Sequence, residues 1–445
     1  MPAYSRLSLV ILAVLGAAAG QPSLRDAQVS EKWNRLGNLS PYHKAPIPSG
    51  VKEVLPADCR VDQVMLTGRH GSRYPLASEL IFITNMTAKL SSNAQAISRS
   101  RLPKELRFLE NGYTSTLGHD DLTAVGRQEL FDHGVNFRLR YQHLTADAIL
   151  AGDQDRVIES AQWFGQGYFG RSWSEISGNA FSTIPEDNVT VSWITPMDTC
   201  PKWQYAFGGD AVTSWGNKYL PSITKRLNRL TPALRFTDAD THGALYACAY
   251  DYAALRTSPW CGAFTDQEIA SFEYELDLLM NGAFGYNLPG DMGPTLGSLY
   301  VNKLIERYAL LLILEPDNAN DAKAVYLEFG HDTTIDMALT ALGLAKDSPP
   351  LSPTGPVRPK RKFRTSEQVP FAAQMVWEKF SCDSSGPQIR LVLNEVPFPL
   401  ETCIKSWKDV EYGSCSFDNF VQANSFSRSV KYGDAAWKRA CGEVV

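Results

Sequence analysis

Residues 61–75 read Val61-Asp62-Gln63-Val64-Met65-Leu66-Thr67-Gly68-Arg69-His70-Gly71-Ser72-Arg73-Tyr74-Pro75. The short β-branched run Val61 to Leu66 predicts a strand. Gly68 punctuates its end, and an imidazole then stands between two guanidiniums. A second segment has the same layout: Ala324 to Phe329 reads as a buried strand and His331-Asp332 follows it. A helix is predicted over Thr333 to Leu342, stopping at Gly343. Strands that each lead into a helix predict an α/β sheet, where ligands sit at the carboxyl ends of strands. Both motifs fall there.

Working outward, Ala148 to Ala151 reads as a short strand ending at Gly152. Asp155 to Gly167 has helical spacing through Val157, Ala161 and Phe164. Leu80 to Arg101 and Leu122 to Tyr141 read as helices, the second with Thr123 as a cap. Val189 to Ile194 alternates and reads as a strand, as does Gln388 to Asn394. Trp203 to Asn217 reads as loop, followed by helices over Ile223–Leu230, Thr265–Met280 and Leu296–Leu314. Residues 200–320 thus look like a mainly α insertion. Residues 21–58, with Pro41, Pro46, Pro48 and Pro56, read as an extended arm, and Ser348 to Arg364 as a Pro-rich, basic loop.

The 445 residues can bury a large core in one domain or two joined ones. With 44% hydrophobic and 20% charged residues the chain is globular rather than disordered. A net charge of −5 gives no global basic field for nucleic acid. At the N-terminus Arg6 precedes an apolar run, Leu7 to Ala19, and small residues, Ala17 to Gly20. The run falls short of the ~20 residues that span a bilayer, so residues 1–20 are expected to be a removed signal peptide. The mature protein is then secreted, extracellular or at the cell wall, with no membrane span. In that compartment eight cysteines imply disulfides, with connectivity left open by spacing. Asn38, Asn85 and Asn188 head Asn-x-Ser/Thr tripeptides and are candidate glycosylation acceptors.

A phosphate monoester needs a cationic cradle, a nucleophile, and a proton for the leaving alcohol. Arg69 and Arg73 can each clamp phosphate oxygens through two bonds. His70 is placed to attack phosphorus, and its guanidinium neighbours keep it unprotonated in mild acid. Gly68 and Gly71 are expected to let the backbone approach the ligand. A helix starting after Pro75 would offer free N–H groups to phosphate.

These motifs resemble the secreted histidine acid phosphatases of the phosphoglycerate-mutase-like superfamily. The pattern Arg-His-Gly-x-Arg-x-Pro is complete at 69–75. A third phosphate-binding arginine stands in Asp155-Arg156-Val157-Ile158-Glu159-Ser160-Ala161, and the His-Asp pair lies within Phe329-Gly330-His331-Asp332-Thr333. The likeness runs from about residue 40 to 441 and is nearest to fungal acid phosphatases and phytases.

The resemblance implies a three-layer sandwich with a central mixed sheet and an inserted mainly α-helical domain. The α/β core would cover about 50–78, 145–199 and 321–445, with helical insertions at about 79–144 and 200–320. It implies His70 as nucleophile, Asp332 as proton donor, and Arg69, Arg73, Arg156 and His331 as phosphate-binding residues. It also implies the disulfides Cys59–Cys382, Cys200–Cys441, Cys248–Cys261 and Cys403–Cys415. No metal or other cofactor is expected, because arginines carry the phosphate charge. The expected activity is a broad acid phosphatase acting on small phosphate monoesters. Phytate is one candidate among them, since Leu76 to Phe82 supplies no lysine beside the catalytic loop; a dedicated phytase is the alternative.

Other features weigh less. Asp153-x-Asp155 resembles the start of a calcium loop, but Ile158 stands where glycine is required. His119, His133 and His143 read as surface or capping residues. Arg358, Lys360, Arg361, Lys362 and Arg364 read as a solvated basic run, with a protease-nicked dibasic site or an attraction for polyanions as sharper readings. A mutase fits poorly with secretion and disulfides, and a silent binding protein fits poorly with a full set of catalytic side chains.

Overall fold

The computed structural model describes residues 32–313, 323–383 and 385–443. The expected signal segment, residues 1–20, and Leu314 lie outside these residues. One eight-stranded sheet organises the chain: β1 (Cys59–Arg69), β2 (Ile149–Gly152), β3 (Phe181–Ile184), β4 (Val325–Gly330), β5 (Gln374–Cys382), β6 (Ser385–Leu393), β7 (Val396–Phe398) and β8 (Ser414–Ser416). The spatial order is β3-β2-β4-β1-β5-β6-β7, with β8 on β6. β3, β2, β4 and β1 run parallel; β5 to β8 pair antiparallel. The sheet is therefore mixed, and the carboxyl ends of β2, β4 and β1 lie side by side.

The helices that matter here are α1 (Ala77–Ser92), α2 (Ala124–Arg140), α3 (Asp155–Phe169), α4 (Ala206–Leu230), α5 (Asp238–Leu255), α6 (Asp266–Phe284), α7 (Met292–Ile313) and α8 (Asp332–Ala341). Strand alternation sends successive side chains to opposite faces. Val64 and Leu66 of β1 join Leu327 and Phe329 of β4 beneath Leu130, Phe137, Val157 and Phe164 of α2 and α3. Met65, between them, joins Trp377 and Leu391 beneath Tyr300, Leu304 and Ile335 of α7 and α8. The result is helix, sheet, helix: three layers. A third apolar cluster binds α1, α4, α5 and α6 to one another through residues such as Met86, Leu227, Ala244 and Phe272.

Four disulfides link Cys59–Cys382, Cys200–Cys441, Cys248–Cys261 and Cys403–Cys415. The first joins residues paired across β1 and β5. Among the described residues, no helix is long and apolar enough to cross a membrane.

Several elements differ from the sequence reading. Residues 189–194 form no strand; β3, at 181–184, extends the sheet instead. The stretch 203–217 is not a loop, because α4 starts at Ala206. The run at 358–364 is not a free basic patch. Arg361 is buried, its Nε donating to Asp277 Oδ2 at 2.5 Å and its Nη2 lying 3.0 Å from Glu273 Oε2. A guanidinium held by two buried carboxylates is offered neither to a protease nor to a polyanion. His133 is buried edge-on against Tyr42, and burial pushes its imidazole down to about 3, so it is a core residue rather than a surface one. His119 is exposed beside Asp120, and exposed His143 meets the Val61 carbonyl at 2.8 Å.

Candidate active site

The register of β1 and β4 builds the centre of the site. Arg69 pairs with Gly330 across the ladder, so the next residues, His70 and His331, emerge together. Their ring centroids are 5.7 Å apart. The His70 N–H donates to the Gly330 carbonyl and its own carbonyl accepts from Ala372 N–H, which fixes the backbone on both sides. Its Nδ1 lies 2.9 Å from the Gly71 carbonyl. A carbonyl can only accept, so Nδ1 carries the proton and Nε2 keeps its lone pair. Burial, then Arg69 and Arg156, push the His70 imidazole well below its ordinary value.

The Cα of Gly71 is turned toward α2. A Cβ there would stand 2.6 Å from the Gly126 carbonyl, and one at Gly126 would stand 2.3 Å from the Ser72 carbonyl. The glycines instead let the catalytic loop press onto α2, where Ser72 N–H and Oγ donate to buried Glu129. Gly68 likewise makes room for the Phe329 ring. The N-terminus of α1 is not an open phosphate site either, because Glu79 Oε2 accepts the Leu76 N–H at 2.7 Å. α8 presents its first turn to the site, with His331 at its cap and Asp332 at its first position.

Three guanidiniums surround His70. Arg69 is fully buried: Nη1 donates to the carbonyls of Asn38 and Val369, and Nη2 lies 2.8 Å from Asp332 Oδ2. Arg73 donates from Nη1 to Tyr250 Oη and to the Tyr74 carbonyl. Tyr250 Oη in turn donates to Glu79 Oε2 at 2.5 Å. Arg156 stands in the first turn of α3. Among the described residues, Nε of all three arginines is buried without a hydrogen-bond partner. Orphaned charged donors are costly, and three of them around one imidazole mark a place for an anion.

Asp332 closes the site. Its Oδ1 accepts from Thr333 N–H at 3.0 Å, and its Oδ2 accepts from Asn38 Nδ2 at 2.9 Å. Burial raises its carboxyl, but Arg69, Asn38, His331 and Arg73 outweigh it and hold the group below the usual carboxylate range. Asn38 is therefore no glycosylation acceptor, since its amide is buried on Asp332 where no glycan fits. Asn85 and Asn188 are exposed. Sequence reading also missed Glu186, whose carboxylate lies 2.9 Å from His331 Nε2 with its side chain 2% exposed. Nothing local signals Asn38 or Glu186, which reach the site only through the tertiary fold.

One turn behind Asp332, Asp336 is fully buried with neither oxygen partnered among the described residues. Burial, then the Asp332 charge, push its carboxyl well above the ordinary range, so it stays protonated in acid. A carboxyl raised in the folded state stabilises the protein below its unfolded pKa, and that share is lost as pH rises toward the folded pKa. Asp336→Asn removes this term, about 1.4 kcal/mol for each unit of the shift. The thermal midpoint of wild type should therefore fall more steeply from pH 4 to pH 8 than that of the variant; parallel curves would contradict this.

Among the described residues, no three His, Cys, Asp or Glu side chains are grouped to hold a metal ion.

Known proteins resemble this chain over most of its length. The family described as the histidine phosphatase superfamily (branch 2) matches residues 60–394. Phytase A of Aspergillus oryzae is 28% identical over 430 residues, covering 90% of this chain and 89% of its own. A thiamine-repressible acid phosphatase of Schizosaccharomyces pombe is 29% identical over 428 residues, covering 91% and 90%. In fold, the crystal structure of the D. castellii phytase superposes with a TM-score of 0.78 at 23% identity, covering 97% of this chain and 93% of that one. The chain belongs to branch 2 of the histidine phosphatase superfamily.

Proposed function

We propose that this chain is a secreted acid phosphatase that hydrolyses phosphate monoesters through a phosphohistidine at His70. The observation that carries the reading is the set of three partnerless guanidinium Nε groups around an imidazole whose Nε2 is free to attack. Arg69, Arg73, Arg156 and His331 hold the phosphoryl oxygens as charge spreads in the transition state. His70 Nε2 bonds to phosphorus while the ester P–O bond breaks. Asp332 gives its proton to the departing alcohol oxygen. Asp332, now ionised, takes a proton from water as that water attacks the phosphohistidine, and phosphate leaves.

In the free protein Asp332 is ionised, so its proton must arrive with the substrate. A bound phosphate dianion neutralises Arg69 and Arg73 and raises the carboxyl. Activity should thus favour acid, where His70 remains neutral because its imidazole is held low. The test is the pH dependence of kcat for an alkyl and a nitrophenyl phosphate. The alkyl rate should fall as pH rises and Asp332 loses its proton in the complex. The nitrophenyl rate, whose leaving group needs little protonation, should fall much less. Identical profiles would overturn Asp332 as donor, and no release from either ester would overturn the enzyme.

Support for the substrate class comes from relatives named phytase and acid phosphatase, which place inositol phosphates among the esters to be tried. Support for an extracellular setting comes from the N-terminal segment and the four disulfides.

Glu186 acts through His331. A carboxylate paired with Nε2 holds the imidazole in one orientation toward the phosphoryl group. Charge-assisted bonds of this kind contribute roughly 1.5–3 kcal/mol, so Glu186→Gln should lower kcat/KM about 10–100-fold. Inhibition by inorganic phosphate should weaken in parallel, and Glu186→Asp should restore part of both. Tighter phosphate binding in Glu186→Gln would show that the carboxylate merely repels the substrate.

A further inference from the structure

The cavity above His70 encloses about 180 Å³, below the roughly 300–1,000 Å³ usual for ligand pockets. It holds the phosphoryl group and the first few atoms of the leaving alcohol. Neutral polar residues, Asn38, Gln154, Thr195 and Thr333, line part of it. Among its described lining residues the guanidiniums are Arg73 and Arg156, both assigned to the phosphoryl group together with the two imidazoles; no lysine is present. The remaining acidic groups beside Asp332 are Glu79, Glu186 and Asp198, the last with its carboxyl raised by burial.

Asp332 marks the side from which the alcohol departs. Asn38 Nδ2, which binds Asp332 Oδ2, also lies 3.7 Å from Met280 Sδ. Met280 belongs to α6, where Leu276, Leu279, Met280 and Phe284 recur at helical spacing and line the cavity along one face. Tyr205, half exposed, extends this wall outward, its ring 6.1 Å from that of Phe284. The departing oxygen therefore carries its substituent onto an apolar, partly aromatic wall.

We propose that this wall makes the site selective for monoesters of apolar alcohols, alkyl or aryl, and discriminates against polyphosphorylated polyols; the proposal rests on the phosphatase reading above. An apolar substituent loses water favourably against Leu279 and Phe284. A polyol leaves hydroxyls unpaired there. Each further phosphate on the ring must either be desolvated against the wall or come close to Glu79 and Asp198, with no further cation among the described lining residues to receive it.

The experiment compares n-butyl phosphate, glycerol 1-phosphate and inositol hexakisphosphate, whose alcohols are all poor leaving groups. For wild type, kcat/KM for the butyl ester should exceed that for the glycerol ester at least tenfold. It should exceed that for the hexakisphosphate at least a hundredfold. Leu279→Lys and, separately, Asp198→Asn should each narrow the hexakisphosphate gap at least tenfold, mainly through KM. Equal use of the butyl and glycerol esters, or wild-type hydrolysis of the hexakisphosphate as fast as of the butyl ester, would overturn the proposal while leaving the phosphatase intact. Failure of folded wild type to release phosphate from any of the three would instead sink the phosphatase reading, and the proposal with it. The wild-type ratios decide the matter even if a variant does not fold.

Discussion

His70→Ala should lose at least about 10⁴-fold in kcat on any phosphate monoester, because no other group can take the phosphoryl. The variant should keep its fold. His70 is held mainly through backbone bonds to Gly330 and Ala372, which alanine retains. It should also still bind inorganic phosphate, since Arg69, Arg73 and Arg156 are untouched. Loss of turnover with retained phosphate binding separates a missing nucleophile from a collapsed site. A variant with a tenth of wild-type activity would show that water attacks phosphorus directly and that His70 only positions the ester.

Asp332→Asn should cost roughly 10²–10⁴-fold in kcat on alkyl phosphates, the usual range for a positioned general acid. On a nitrophenyl ester the loss should be far smaller, because that leaving group departs without a proton. The same substitution removes a buried negative charge that lies 2.8 Å from Arg69. Inorganic phosphate should therefore bind the variant more tightly, as Arg69 is freed to pair with the ligand. Steady-state kinetics on the two esters, with phosphate as competitive inhibitor, read both effects. An equal loss on both esters would mean that Asp332 holds the site together rather than supplying a proton.

The two strand-end motifs are legible because they are local. β1 carries the apolar run Val64 to Leu66 and ends at Gly68-Arg69, β4 ends at Gly330, and the candidate residues lie at or just past those ends. Arg156 is picked out only through the likeness of Asp155 to Ala161 to the family pattern; apolar spacing shows the helix around it but not a role for the arginine. The start of α4 is not legible. Gly208, Gly209, Gly216 and Pro221 interrupt it, and glycines ordinarily weaken helices. The structure supplies the reason: a Cβ at Gly208 would stand 2.3 Å from the Leu279 carbonyl, and Gly282 faces Gly208 in return. These residues allow two helices to touch closely, a tertiary gain that overrides propensity. The alternation at 189–194 misleads for a related reason. Trp193 faces inward to donate its indole N–H to Glu328, but the segment finds no strand to pair with.

The rest of the site comes from distant segments. Asn38 reads as a glycosylation acceptor until the fold carries it, 294 residues along the chain, onto Asp332. Glu186 and Tyr250 carry no motif. Their roles exist only because the turn after β3 and the helix α5 converge on the ends of β4 and β1. Sequence thus points to the groups proposed for the chemistry, while the groups that orient them emerge from packing.

The central claim is the covalent intermediate, and rapid acid-free quenching during turnover of a nitrophenyl phosphate tests it most directly. With a good leaving group, phosphorylation is fast and the phosphoenzyme accumulates. The account predicts up to one phosphate per chain, stable to alkali and labile to acid, mapping to the peptide that contains His70 and missing in His70→Ala. A burst of nitrophenol with the phosphate on another residue, or steady turnover without burst or bound phosphate, would contradict it.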